Sequence, residues 1–88
     1  MMTSQTDFVM QFIAFLAEDE GRFERFVSLT GLGLADIRQR HTDPEFQALV
    51  LDYGLQDQSL VLEFAAHQGI QPNELMKVRN RLPMVPLT

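Results

Sequence analysis

The stretch HQGIQPNELMKV, from His67 to Val78, decides how this chain is read. Gly69 suits the left-handed residue that ends a helix, and Pro72 suits a first helical position, where no backbone N–H is missed. Two helices joined by so tight a corner can present a reading helix to DNA, as helix-turn-helix proteins do. The same corner can equally be a plain joint between packed helices.

An earlier segment discriminates between the two. TGLGLADI, Thr30 to Ile37, has the same build, and Gly31 lies 38 positions before Gly69. At that offset, with no gap, Phe8 falls on Phe46, Phe12 on Val50, Ile13 on Leu51 and Phe15 on Tyr53. Asp19 then falls on Asp57, Phe23 on Val61, Phe26 on Phe64, Leu32 on Ile70, Asp36 on Glu74 and Ile37 on Leu75. The matches sit on caps, stops and core positions. The chain therefore reads as two pseudo-repeated three-helix units, about 8–41 and 46–79. Each has a long helix, an Asp-capped second helix, a glycine corner and a short third helix. Neither unit alone buries its apolar faces, whereas packing them together does.

Local signals place the helices. SQTD, Ser4 to Asp7, fits a capping box, with the Ser4 hydroxyl accepting from the third N–H and Asp7 reaching back. Phe8, Val9, Phe12, Ile13, Phe15 and Leu16 then recur at helical spacing, predicting a wide-faced helix over about Gln5 to Glu18. So broad an apolar face leaves Val9 or Met10 uncovered. A second helix, about Glu20 to Thr30, starts at Asp19 and stops at Gly31. A third, about Leu34 to Arg40, is anchored by Leu34 and Ile37. Gly33 and Leu34 stand where the second corner has Gln71 and Pro72, which loosens the start of that third helix.

TDPEF, from Thr42, opens a fourth helix carrying Phe46, Leu49, Val50 and Tyr53 and ending near Gly54. Asp57 caps a fifth, about Gln58 to Gln68. Pro72 opens a sixth, with Leu75, Val78 and Leu82 on one side, and Pro83 stops it; residues 83–88 are a tail. No segment alternates strictly enough for a strand. The fold class is all-α, a compact bundle of about six helices in a single domain, 1–88. Phe12, Phe15, Phe23, Phe26, Phe46, Tyr53 and Phe64 are expected to form much of the core.

Composition narrows the function. At 88 residues and 45% hydrophobic, the chain is globular. It has no cysteine, so disulfides and thiolate metal sites are out of reach. No secretory signal and no apolar run of about 20 residues is evident, so no membrane span and a cytoplasmic location are expected. The net charge is −5, which repels nucleic acid at long range.

The charge is not evenly spread. Residues 73–88 carry three basic and one acidic residue, whereas residues 1–72 carry four basic and eleven acidic. Lys77, Arg79 and Arg81 therefore make a locally basic sixth helix. A DNA-binding corner at 59–81 is the alternative reading, with these three as its contacts. Against it, basic residues near a helix C-terminus complement the helix dipole without any ligand. The first corner has the same form without them, and Gln68 occupies a position that is usually apolar in helix-turn-helix motifs.

Enzymatic signals are weaker still. His41 and Asp43 make an HTD pair that could ligate a metal, but two ligands do not make a site. His67, near a helix end, is explained by the dipole. There is no phosphate loop, paired-His zinc helix or nucleophile elbow. No enzyme and no cofactor are expected. An interaction or regulatory module remains, using Met84, Val85 and Leu87 of the tail to bind an unknown protein partner or a second copy. Those residues could instead pack across the seam between the first and sixth helices.

The stretches FLAEDEGRFERFVSLTGLGLADIRQR and DPEFQALVLDYGLQDQSLVLEFAAHQGIQPNEL resemble a small uncharacterised family of alphaproteobacterial proteins, known as a domain of unknown function. Members similarly pair an early FLA-x-D, a TGL corner, a DP-x-F helix start and a second Gly–apolar–x–Pro corner. The resemblance covers about Phe15 to Leu75 and rests on order and spacing. It implies an all-helical cytoplasmic protein and no assigned activity.

Overall fold

The computed structural model describes residues 4–83. Six helices follow in order: α1 Gln5–Ala17, α2 Glu20–Thr30, α3 Leu34–Arg40, α4 Pro44–Leu55, α5 Gln58–Gln68 and α6 Glu74–Asn80. Side-chain oxygens of Ser4, Asp19, Asp43 and Asp57 accept backbone N–H groups in the first turns of α1, α2, α4 and α5. These caps satisfy donors that a helix start would leave orphaned. At Ser4 the bond runs one way, to the N–H of Asp7 at 3.0 Å, and Asp7 is exposed.

Both corners turn on a left-handed glycine, Gly31 at φ 73° and Gly69 at φ 69°. Their hydrogen bonding differs. At the second corner Ile70 N–H donates to Ala65 O at 3.0 Å, the wider bond of a Schellman motif. At the first, Gly31 N–H donates to Val27 O, and the Thr30 hydroxyl donates to Phe26 O while accepting from Leu32 N–H. The threonine thus does locally what the backbone does at the other corner. The start of α3 is held as well, because Gly33 N–H donates to the Asp36 carboxylate at 2.9 Å. The loosening expected from Gly33 is absent for that reason.

α1 packs on α2 and on α4, and α4 also packs on α5 and α6. Phe12, Phe26, Phe46 and Phe64 are fully buried where these helices meet. Phe64 of α5 receives three phenylalanines of α1, with ring centroids 5.8 Å from Phe8, 5.0 Å from Phe12 and 5.4 Å from Phe15. Edge-on contacts of this kind add to the burial of the rings. The one buried polar side chain among the described residues, Gln47, donates to Thr6 Oγ1 and His41 O, both at 2.8 Å, and so ties α4 to the start of α1 and the end of α3.

Several expectations are corrected. Val9 is fully buried and Met10 packs against the core, so α1 leaves neither uncovered. Leu34 does not anchor α3: it is 59% exposed, and Leu32 and Ile37 are the buried residues there. Phe23 and Tyr53 are partly buried at the core margin. α4 ends near Gly54, as expected, but Gly54 itself is buried inside the helix, one residue before it stops. Pro72 does not open α6. Glu74 N–H donates to Gln71 O, so Pro72 and Asn73 form a turn and the helix starts at Glu74.

Candidate functional site

Of the exposed large hydrophobics among the described residues, Leu29, Leu34, Leu62 and Met76, Leu29 borders a groove where the first corner meets α4. The α4 sequence places Leu49, Asp52, Tyr53 and Gln56 along one stripe, by the helical spacing of three and four. The end of α2 brings Leu29 and Thr30 beside it, and the corner adds Leu32. Together these residues line a groove of about 450 Å³. Leu29 stands at its edge, 65% exposed, one turn on from the buried Phe26 of the same helix. The Tyr53 ring packs edge-on against Phe26, centroids 5.1 Å apart, and forms a rigid wall. Burial pushes the Tyr53 hydroxyl above its usual range; the Arg25 guanidinium opposes this and the Asp57 carboxylate adds to it.

The second corner meets α1 in the corresponding way, and its lining is different. Phe8, Gln11, Gln68, Ile70, Glu74, Val78 and Arg81 surround a groove of about 280 Å³ there, of mixed polar and apolar character. At the 38-residue offset, Gln11 stands for Leu49, Gln68 for Thr30 and His67 for Leu29.

A third cleft lies where the starts of α2 and α5 face each other, lined by Arg22, Arg25, Asp57, Ser59 and Glu63 among others. Its principal cation is already engaged. Arg22 lies over the Phe15 ring at 4.0 Å, donates to Phe15 O at 2.7 Å and approaches Glu63 at 3.8 Å.

The basic residues of the sixth helix are not presented together. Arg79 forks onto Asp52 of α4, with Nε to Oδ1 at 2.6 Å and Nη2 to Oδ2 at 3.2 Å, and its side chain is 13% exposed. Its Nη1 donates to Leu82 O and Pro83 O. Lys77 pairs with Glu74 at 3.5 Å. Arg81 is exposed and borders the polar groove. A planar guanidinium committed to a carboxylate fork cannot also read a base edge. Sequence reasoning missed this pairing because Asp52 and Arg79 are 27 positions apart and no local pattern links them.

The two histidines stand apart from all three clefts. His41 turns Nδ1 back to Ile37 O at 3.2 Å, and its neighbour Asp43 caps α4 and meets Arg40 at 3.7 Å. His67 meets Glu18 at 3.1 Å. Among the described residues no three metal-ligating side chains converge, and no helix is long and apolar enough to cross a membrane. Met84, Val85 and Leu87 lie outside the described residues.

A family model described as "Protein of unknown function (DUF3572)" matches residues 4–84. No curated protein and no solved structure matches the chain. The match spans almost the whole sequence, so the chain belongs to that family, to which no activity is assigned.

Proposed function

We propose that this member of the family is a non-enzymatic protein–protein interaction module that docks a short apolar segment of a partner in the groove between the first corner and α4. The observation that carries the reading is the contrast between the two corners. Equivalent positions hold Leu29 and Leu49 at one and His67 and Gln11 at the other. Leu29, at 65%, is the most exposed large hydrophobic side chain among the described residues. An apolar pocket with a rigid aromatic wall is the kind of surface at which a few buried anchors carry most binding energy.

We further infer that residues 8–41 and 46–79 are two copies of one three-helix unit. α2 and α5 share both boundaries at the 38-residue offset. The aromatic pair Phe26–Tyr53, at 5.1 Å, has its counterpart in Phe64–Phe15, at 5.4 Å, each joining one half to the other. Both corners read as joints within this arrangement. The DNA alternative, with Arg79 withdrawn, keeps only Lys77 and Arg81 of its three contacts.

Parallel affinity capture from cells that express the protein naturally tests the docking face. The expected outcome is a partner retained by the wild type and by Leu62→Glu, which alters an exposed leucine outside the groove, and lost with Leu29→Glu. Equal retention by all three proteins, each folded by circular dichroism, removes the groove from the account.

A further inference from the structure

We propose that the partner segment docked in the groove is an amphipathic helix carrying an acidic side chain about one turn from its apolar anchor, and that Arg25 receives that carboxylate. This rests on reading the groove as a docking face, and it names the class of partner that face selects.

Shape is the first argument. α2 and α4 both pack on α1 and not closely on each other, which leaves a furrow between them. Phe26 of α2 and Tyr53 of α4 meet edge-on within it. The furrow runs on past the apolar groove. Leu29, Tyr53 and Gln56 of that groove also line a small cleft of about 120 Å³ that Arg25 and Asp57 complete. From Leu49 to Gln56 the α4 wall spans two turns, about 10 Å along its axis. A furrow walled by two helices suits a third helix, whose anchors at three- and four-residue spacing enter the apolar part. An extended partner would need a sheet edge to pair its backbone, and the described residues form no strand.

Charge is the second. The carboxylates along the furrow are already engaged. Asp52 is held in the Arg79 fork, and Asp57 accepts the Leu60 N–H at 3.2 Å as the cap of α5. Arg22, beyond them, is committed to Phe15 and Glu63. Arg25 is exposed and makes no ion pair or side-chain hydrogen bond among the described residues. An open guanidinium is a planar fork of donors matched to a carboxylate.

Spacing is the third. Arg25 and Leu29 are four positions apart on α2, so they stand one turn apart on one face. A helix that meets both must space its carboxylate and its apolar anchor alike. At the 38-residue offset Glu63 stands for Arg25 and His67 for Leu29, so the other half lacks both features. Such a rim charge sets which partner is chosen more than how tightly it is held.

Display of random peptides of about 16 residues, enough for four helical turns, on the full chain supplies the probe. Enriched peptides are expected to place Asp or Glu three or four positions from an apolar residue and to gain helix on binding by circular dichroism. They are expected to shift the amide signals of Arg25, Leu29 and Tyr53 more than those of Gln11 and Glu74. The best peptide and its acid-to-amide form, each titrated against the wild type and Arg25→Ala, make a double-mutant cycle. The expected coupling is about twofold to fivefold at low salt, and it vanishes at about 1 M salt. Absence of enrichment, of the acid, of helix or of coupling overturns the proposal, as do larger shifts at Gln11 and Glu74. Concentration-dependent shifts of the furrow signals without peptide also overturn it, in favour of a second copy. A capture lost with Leu29→Glu, alongside zero coupling, would leave the docking face standing and remove this chemistry alone.

Discussion

Two glycines show how differently the same residue type serves this chain. Gly31 is needed for its backbone: φ is 73°, and a Cβ there would meet nothing within 4 Å. Gly54 is needed for its missing side chain: a Cβ there would stand 2.7 Å from Phe12 Cζ and 3.3 Å from Leu75 Cδ2. Helix propensity alone would favour alanine at Gly54 by about 1 kcal/mol. Overpacking a closed core costs about 1–3 kcal/mol, and the Phe12 ring, fully buried, has little room to retreat. Gly54→Ala is therefore expected to lower the thermal midpoint despite the gain in propensity. Gly31→Ala should lower it as well, through about 1–2 kcal/mol of backbone strain. An unchanged or raised midpoint for Gly54→Ala would show that the ring has room. The sequence made Gly31 legible, because a stop precedes an apolar plug. It placed Gly54 near a helix end but not against Phe12, because a glycine cradling a ring from a distant helix leaves no local mark.

Tyr53 can be followed without interference, since the chain has one tyrosine and no tryptophan. Burial, as the main cause, pushes its hydroxyl above the ordinary tyrosine range in the folded protein. A raised folded pKa gives a contribution to stability that is present below the unfolded value and is lost as pH rises through the folded one. Phenolate absorbance is therefore expected to develop at higher pH in the native protein than in denaturant. Coincident titration curves would mean that the ring is more open to water than its packing against Phe26 implies.

Among the elements, start and stop chemistry was the most legible part. Asp19, Asp43 and Asp57 cap where their spacing predicts, and α2, α3 and α5 have the expected boundaries. α6 was harder, because Pro72 suits a turn as well as a first helical residue. Its N-cap residue, Asn73, is in helical conformation at φ −72° and ψ −7° and makes no side-chain cap bond. Asp57→Ala is accordingly expected to cost about 1 kcal/mol by chemical denaturation. Asn73→Ala should fall within about 0.5 kcal/mol of the wild type, as surface changes away from such features do. Equal losses would mean that Asn73 caps in solution. The groove belongs to this scale too, and it was not legible. Leu29, Leu49 and Tyr53 each fit an ordinary helix stripe, and only the packing of a corner against α4 brings them together.

For the whole molecule, six helices close over one core, and we propose that they do so as two similar units. α1 meets α4 at the centre, and each unit places an aromatic residue of its second helix against the long helix of the other. Departures from symmetry fall where function is proposed. α6 lies close on α4 and sends Arg79 to Asp52, with no equally close approach of α3 to α1. The groove beside the first corner has Leu29 and Leu49 where the equivalent positions hold His67 and Gln11. The most direct measurement is circular dichroism with thermal melting of residues 1–42 and 43–88 made separately, then mixed in equal amounts. The prediction is little helix and no cooperative transition in either piece, with both restored on mixing. Cooperative melting of one piece alone would contradict the account, because that half would then hold a core of its own.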